Sequence, residues 1–176
     1  MLKGLYVRCN AGGCTTDPEV ARAALPHAIR ALSDPDPEIR VTGVRAIELF
    51  AADAGEAVPD LARALVDPSA AVRLSALEAL GEAGDGAAVV AARIAERLMH
   101  APTAEERSAA AVALGNAGAV ANHLDALLAA LFDDVSTVQA SAAHALGLGL
   151  NDPDDDRRER ASKALHYFSR RYRDMA

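Results

Sequence analysis

The sequence has no tryptophan, and only three tyrosines and three phenylalanines among 176 residues. Aromatic and β-branched runs are scarce, which argues against a sheet-based core. No run of about 18 apolar residues exists, so no segment reads as a membrane span. The apolar stretch Leu5-Tyr6-Val7 is ended by Arg8 and is too short for a secretory leader. Cys9 and Cys14 are the only cysteines. One pair is too few for a disulfide framework and lacks the other two ligands of a structural zinc site, so they read as free thiols. Positive charge is short as well: 18 basic against 25 acidic residues, a net charge of −7. An acidic body repels nucleic acid and favours basic partners. Together these features describe a soluble, cytoplasmic protein of bacterial type.

What the sequence has in quantity is small and aliphatic residues. Hydrophobic residues make up 51%, chiefly Ala, Leu and Val, which let helices approach closely. They are arranged in a period. Asp34-Pro35, Asp67-Pro68 and Asp152-Pro153 each stand six residues before an arginine, at Arg40, Arg73 and Arg158. Seven residues after each arginine comes a large aliphatic: Ile47, Leu80 and Leu165. Two further copies are altered. Ala101-Pro102 leads to Arg107 and Leu114, and Asp133 leads to Gln139 and Leu146. The aliphatic anchors recur after 33, 34, 32 and finally 19 residues. A fixed period of this size marks a stack of like supersecondary units.

The spacing within each unit predicts a pair of helices. The first helices are expected at 25–33, 58–66, 87–100 and 120–132, with apolar residues three or four apart. Pro26 and Pro59 are placed in their first turns, where proline loses no hydrogen bond. The second helices are expected at 37–52, 70–83, 104–117 and 135–148, opened by the Asp-Pro turns and followed in three cases by glycine. Residues 1–16 lack a helical period and read as an irregular arm. Thr16 is placed as the cap of a short helix over 17–24. The repeat domain spans 17–173, with units at about 25–55, 57–85, 87–118 and 120–149. The last 19-residue interval has room for one helix, 157–173, which closes the stack with a charged outer face. That helix carries seven basic residues and one acid. The expected fold is an all-α, right-handed α-solenoid of four to five helix pairs.

The turn Asp, the Pro, the Arg six residues on, and the Ala-Leu-Gly endings at 79–81, 113–115 and 145–147 resemble HEAT repeats. The likeness is to the short kind found in phycobilisome-lyase-like proteins. It implies a ladder of turn residues between adjacent units, carried here by Asp34, Arg40, Asp67, Arg73 and Arg107. Unit three has Ala101 in the place of the Asp, and unit four has Gln139 in the place of the Arg. The ladder is expected to be interrupted there.

No catalytic, cofactor or metal set is legible. Deoxyhypusine hydroxylase, which shares this architecture, needs His-Glu dipeptides, and none of the five histidines is followed by Glu. HEAT-like DNA glycosylases use an aromatic, basic face that is absent here. The run 152–156 is rich in Asp but lacks the central Gly and closing Glu of a calcium loop, so it reads as an acidic helix start. The leading function is a non-catalytic protein-interaction module or scaffold that binds a protein or peptide with a basic surface on its concave face. The register places Thr42, Arg45, Glu48, Leu49, Ser75, Glu78, Glu82, Val112, Asn116, Ser141, His144 and Leu148 on that face. Two alternatives stay open: an acidic immunity-type inhibitor of a basic toxin or enzyme, and a bilin-lyase-like enzyme or enzyme subunit.

Overall fold

The computed structural model describes residues 7–10, 13–16, 18–49 and 54–173. They form two short strands followed by nine α-helices. The strands β1 (Val7–Asn10) and β2 (Gly13–Thr16) pair antiparallel, so the arm read as irregular contains a hairpin. The helices then alternate. First helices are α1 (Pro18–Ala31), α3 (Ala54–Ala64), α5 (Ala91–His100) and α7 (Leu124–Ala130). Second helices are α2 (Pro37–Leu49), α4 (Ala70–Glu82), α6 (Ala104–Asn116) and α8 (Ser136–Gly149). The final helix is α9 (Asp155–Arg173). Apart from the hairpin, the described residues contain no strand. Each helix packs on its pair partner, and α2, α4, α6 and α8 pack on one another in series. This is an all-α solenoid of four helix pairs and a terminal helix.

The second helices begin within a residue of their expected positions, and their ends agree closely where described. The expected end of α2 at 52 and the helix start at Asp17 lie outside the described residues. The first helices differ more. The separate helices expected over 17–24 and 25–33 are one continuous α1. Pro26 therefore lies inside the helix, not in its first turn, and Pro59 is likewise inside α3. Both prolines are exposed. A proline in a helix interior removes an intrahelical hydrogen bond, and an orphaned carbonyl on an open face can turn to water instead. In the next two units the start of the expected first helix is tighter than an α-helix. A 3-10 segment, Gly84–Val90, precedes α5, and another, Val120–Asn122, precedes α7.

The recurring aliphatics form the core. Ile47, Leu80, Leu114 and Leu146 are each fully buried between units. Leu165, the fifth, is half-buried on α9. The rest of the core is mostly alanine, and backbones come close as a result. A Cβ added at Gly115 would stand 3.0 Å from the Cα of Ala145, so α6 and α8 meet with no room for a methyl group. Gly118, at the turn after α6, has φ +61°, a conformation that other residues enter only with strain.

A candidate interaction groove and the ladder behind it

The turn residues repeat one arrangement. In each Asp-containing turn a carboxylate oxygen accepts the backbone N–H two residues on: Asp34 from Asp36, Asp67 from Ser69, Asp133 from Val135 and Asp152 from Asp154, at 2.8–3.0 Å. These are Asx turns. Asp67 does not itself cap α4, whose N-cap is Ser69. Instead it folds the turn that leads to Ser69, whose own side chain makes no capping bond. The residue six positions on then reaches back. Arg40, Arg73, Arg107, Gln139 and Arg158 each donate to the carbonyl of the first turn residue of their own unit, at 2.6–3.2 Å.

The arginines also reach forward. Arg40 donates through Nε and Nη2 to both carboxylate oxygens of Asp67, each at 2.8 Å. Arg107 does the same to Asp133, at 2.7 and 2.9 Å. Such two-pronged pairs fix geometry as well as charge. The interruption expected at Ala101 does not occur, because Glu106 takes over. It sits in the first turn of α6 with 1% of its side chain exposed, and it accepts from Arg73 Nε and Nη2 at 3.0 and 2.8 Å. Arg97 of α5 also donates to it. A longer side chain starting five residues later thus fills the space the missing aspartate leaves. The interruption at Gln139 is real for the forward bond only. Gln139 keeps the bond to the Asp133 carbonyl, while Arg157 stands 3.7 Å from the Asp152 carboxylate.

The charges respond to this packing. Burial pushes the Asp67 and Glu106 carboxyls up, but hydrogen bonds and the neighbouring arginine charges together outweigh it. Both are held below the usual carboxylate range. The hydrogen bond from Arg107 leads in lowering Asp133, to about 2.

The second helices also carry a groove of about 680 Å³ running over α4 and α6. Its floor is apolar, with Leu74, Leu77, Ala109 and Val112, and its rim carries Glu48, Glu78, Glu82 and Glu105. Burial, and then the nearby charges of Glu82 and Glu78, push the Glu48 carboxyl up against the opposing pull of Arg45. The groove therefore gathers four carboxylates, with Arg45 the opposing charge beside Glu48.

Of the twelve residues the register placed on this face, Glu48, Glu78, Glu82 and Val112 line the groove. Thr42, Arg45 and Leu49 are exposed on α2 beside it, and His144 is exposed on α8. Ser141 is half-buried and shares a 2.8 Å hydroxyl hydrogen bond with Ser108. Ser75 is a correction: it is 6% exposed and belongs to the core side of α4, because the helix is rotated so that Leu74 faces the groove. Asn116 and Leu148 line a second cavity, of about 610 Å³, at the other ends of these helices beside Asp85, His123 and Arg157. Burial lowers the His123 pKa there. The register missed Leu74, Glu105, Ser108 and Thr137. Leu74 and Ser108 share one repeat phase, six residues before Leu80 and Leu114, and Glu105 and Thr137 share another, nine before Leu114 and Leu146; neither phase is among those the register placed on this face.

Among the described residues no cluster of three or more His, Cys, Asp or Glu side chains is placed to hold a metal. No described helix is long and apolar enough to cross a membrane.

A sequence profile of HEAT repeats matches residues 25–115. The chain belongs to the HEAT-repeat family. That match takes in the Arg40–Asp67 and Arg73–Glu106 rungs and most of the groove. A search of curated proteins finds no match. Solved structures do match in fold. An engineered protein is 20% identical with a TM-score of 0.59, the alignment covering 87% of this chain and 84% of that one. The complex of CpcE and CpcF of phycocyanin lyase from Nostoc sp. PCC7120 is 24% identical with a TM-score of 0.58, over 82% of this chain and 64% of that one. The S. pombe condensin Cnd3–Cnd2 subcomplex is 21% identical with a TM-score of 0.57, over 86% of this chain and 23% of that one. At these identities the likenesses establish the HEAT fold alone.

Proposed function

We propose that this HEAT-repeat chain is a non-catalytic interaction module whose groove over α4 and α6 receives a protein or peptide with a basic surface. One observation carries the reading: an apolar floor ringed by Glu48, Glu78, Glu82 and Glu105, with the Glu48 carboxyl pushed up by burial and by its neighbours. A cationic side chain set among these carboxylates relieves that repulsion, and the apolar floor supplies contact area, the usual division of labour at an interface. HEAT and armadillo-like stacks commonly serve as protein-interaction scaffolds, which agrees. The same charge suits an immunity-type inhibitor of a basic enzyme, a narrower form of this reading. The likeness to the phycocyanin lyase complex is one of fold.

The test is binding kinetics with arginine- and lysine-rich peptides against neutral peptides of equal apolar content. The basic peptides should associate faster, and the rate should fall with salt. The pair Glu78→Lys and Glu82→Lys should slow association about tenfold or more and flatten the salt dependence, with an unchanged circular-dichroism spectrum. Equal association of both peptide classes would defeat the reading. Turnover or a stoichiometric chromophore unaffected by these substitutions would replace it with the enzyme reading.

A further inference from the structure

The chain's only two cysteines lie in the hairpin, outside the helical repeats. The strand register sets Cys9 directly opposite Cys14, between the pairs Arg8 with Thr15 and Asn10 with Gly13. Two residues separate Asn10 from Gly13. In a hairpin with two connecting residues the pair beside the turn is of the hydrogen-bonded kind. Antiparallel pairs alternate, so Cys9 and Cys14 form the next, non-hydrogen-bonded kind. Opposed residues of that kind have Cα atoms about 4.5 Å apart, inside the roughly 4.4–6.8 Å range that disulfides span. A shift of one residue in either strand would break this opposition.

From this register we infer that Cys9 and Cys14 are a redox-modification site, closing a cross-strand disulfide by exchange with a small-molecule disulfide of the glutathione class. One protein thiolate attacks the glutathione disulfide, forms a mixed disulfide and releases one glutathione thiolate. The second protein thiolate attacks the protein sulfur of that mixed disulfide and releases the other. One protein S–S bond forms, one glutathione S–S bond is broken, and the two protons from the cysteines end on two glutathione thiols. An isolated two-stranded hairpin is marginal in water, so closing the six-residue ring from Cys9 to Cys14 fixes the arm in its paired form. Reduction releases it. The redox state thereby sets how firmly the segment leading into α1 is held, with the helical stack unaffected.

The full chain should be equilibrated in a glutathione redox buffer, quenched with acid and weighed by mass spectrometry. The expected product has lost two hydrogens and carries no glutathione. Its closing equilibrium constant should exceed, by about tenfold or more, that of a register control combining Cys14→Ser with Thr15→Cys, because strand pairing raises the effective concentration of opposed thiols. Amide exchange over residues 7–16 should slow on oxidation while exchange in α4 and α6 stays the same. Equal closing constants for the two proteins would overturn the inference. So would a wild-type product carrying two glutathiones, or oxidation that leaves exchange over 7–16 unchanged.

Discussion

Replacing Glu106 by alanine removes the carboxylate that substitutes for the missing turn aspartate, and the consequence can be worked from the geometry. Arg73 loses two hydrogen bonds, from Nε and Nη2, and Arg97 loses its carboxylate partner. Arg73 keeps its bonds to the carbonyls of Asp67 and Pro68. Two guanidiniums, 13% and 18% exposed, are then left facing each other without the carboxylate that bridged them. Breaking a buried pair on one side costs about 3–5 kcal/mol, and this site should fall in that range. Arg97 already has a buried Nε with no hydrogen-bond partner, so Arg97→Met should cost less than Arg73→Met. Urea unfolding followed by circular dichroism measures all three. Adding Ala101→Asp to Glu106→Ala should recover part of the loss, since it restores the carboxylate at the position Asp67 occupies one unit earlier. A loss below about 1 kcal/mol for Glu106→Ala, or no recovery in the double variant, would refute the claim that Glu106 completes the ladder.

Leu80→Ala should cost about 2–5 kcal/mol in urea melts by opening a cavity between units, and Gly115→Ala about 1–3 kcal/mol by forcing α6 from α8. The ladder carboxylates should make the fold acid-sensitive. Asp67, Glu106 and Asp133 have folded pKa values below their ordinary ones, so their stabilisation is present above the ordinary value and is lost as pH falls through the lowered one. For Asp133 that window runs from 3.8 down to about 2, and unfolding free energy measured across it should drop less in Asp133→Asn than in the native chain. Glu48 has the opposite sign: its stabilising share is present below the ordinary glutamate value and lost as pH rises through the raised one. At pH 7, Glu48→Gln should therefore leave stability unchanged or raise it by about 0.5 kcal/mol, while weakening a basic peptide in titration calorimetry. A variant that is less stable and binds equally well would show that Glu48 serves the fold and not the groove.

The parts legible in the sequence were those set by the repeat itself. The turn residues and the side chains six positions on, Asp-Pro with Arg in the first two units and altered in the next two, placed α2, α4, α6 and α8 closely, and the recurring aliphatics Ile47, Leu80, Leu114 and Leu146 marked the core. The first helices were less legible because their starts depend on how the chain leaves the preceding helix. Nothing local distinguishes the 3-10 segment Gly84–Val90 from a helical turn, and Pro26 suggested a boundary that α1 does not respect. The Glu106 substitution left a trace in the sequence: Thr103 and Glu106 have the spacing of a capping box, and the Thr103 hydroxyl does accept the Glu106 N–H, at 3.3 Å. Its reach to Arg73, 33 residues earlier, depends on the packing of neighbouring units. The groove was half legible for a similar reason. Glu78 and Glu82 followed from helix phase, whereas choosing between Leu74 and Ser75 requires the rotation of α4 against α2 and α6.

Backbone chemical-shift mapping of the isotopically labelled chain, titrated with an arginine- and lysine-rich peptide, tests the central claim most directly. The account predicts saturable shifts concentrated at Glu48, Leu74, Glu78, Glu82 and Val112, and their loss when Glu78 and Glu82 are changed to Lys. Shifts confined to the turn ladder or to α9, or a response to acidic peptides in place of basic ones, would contradict it.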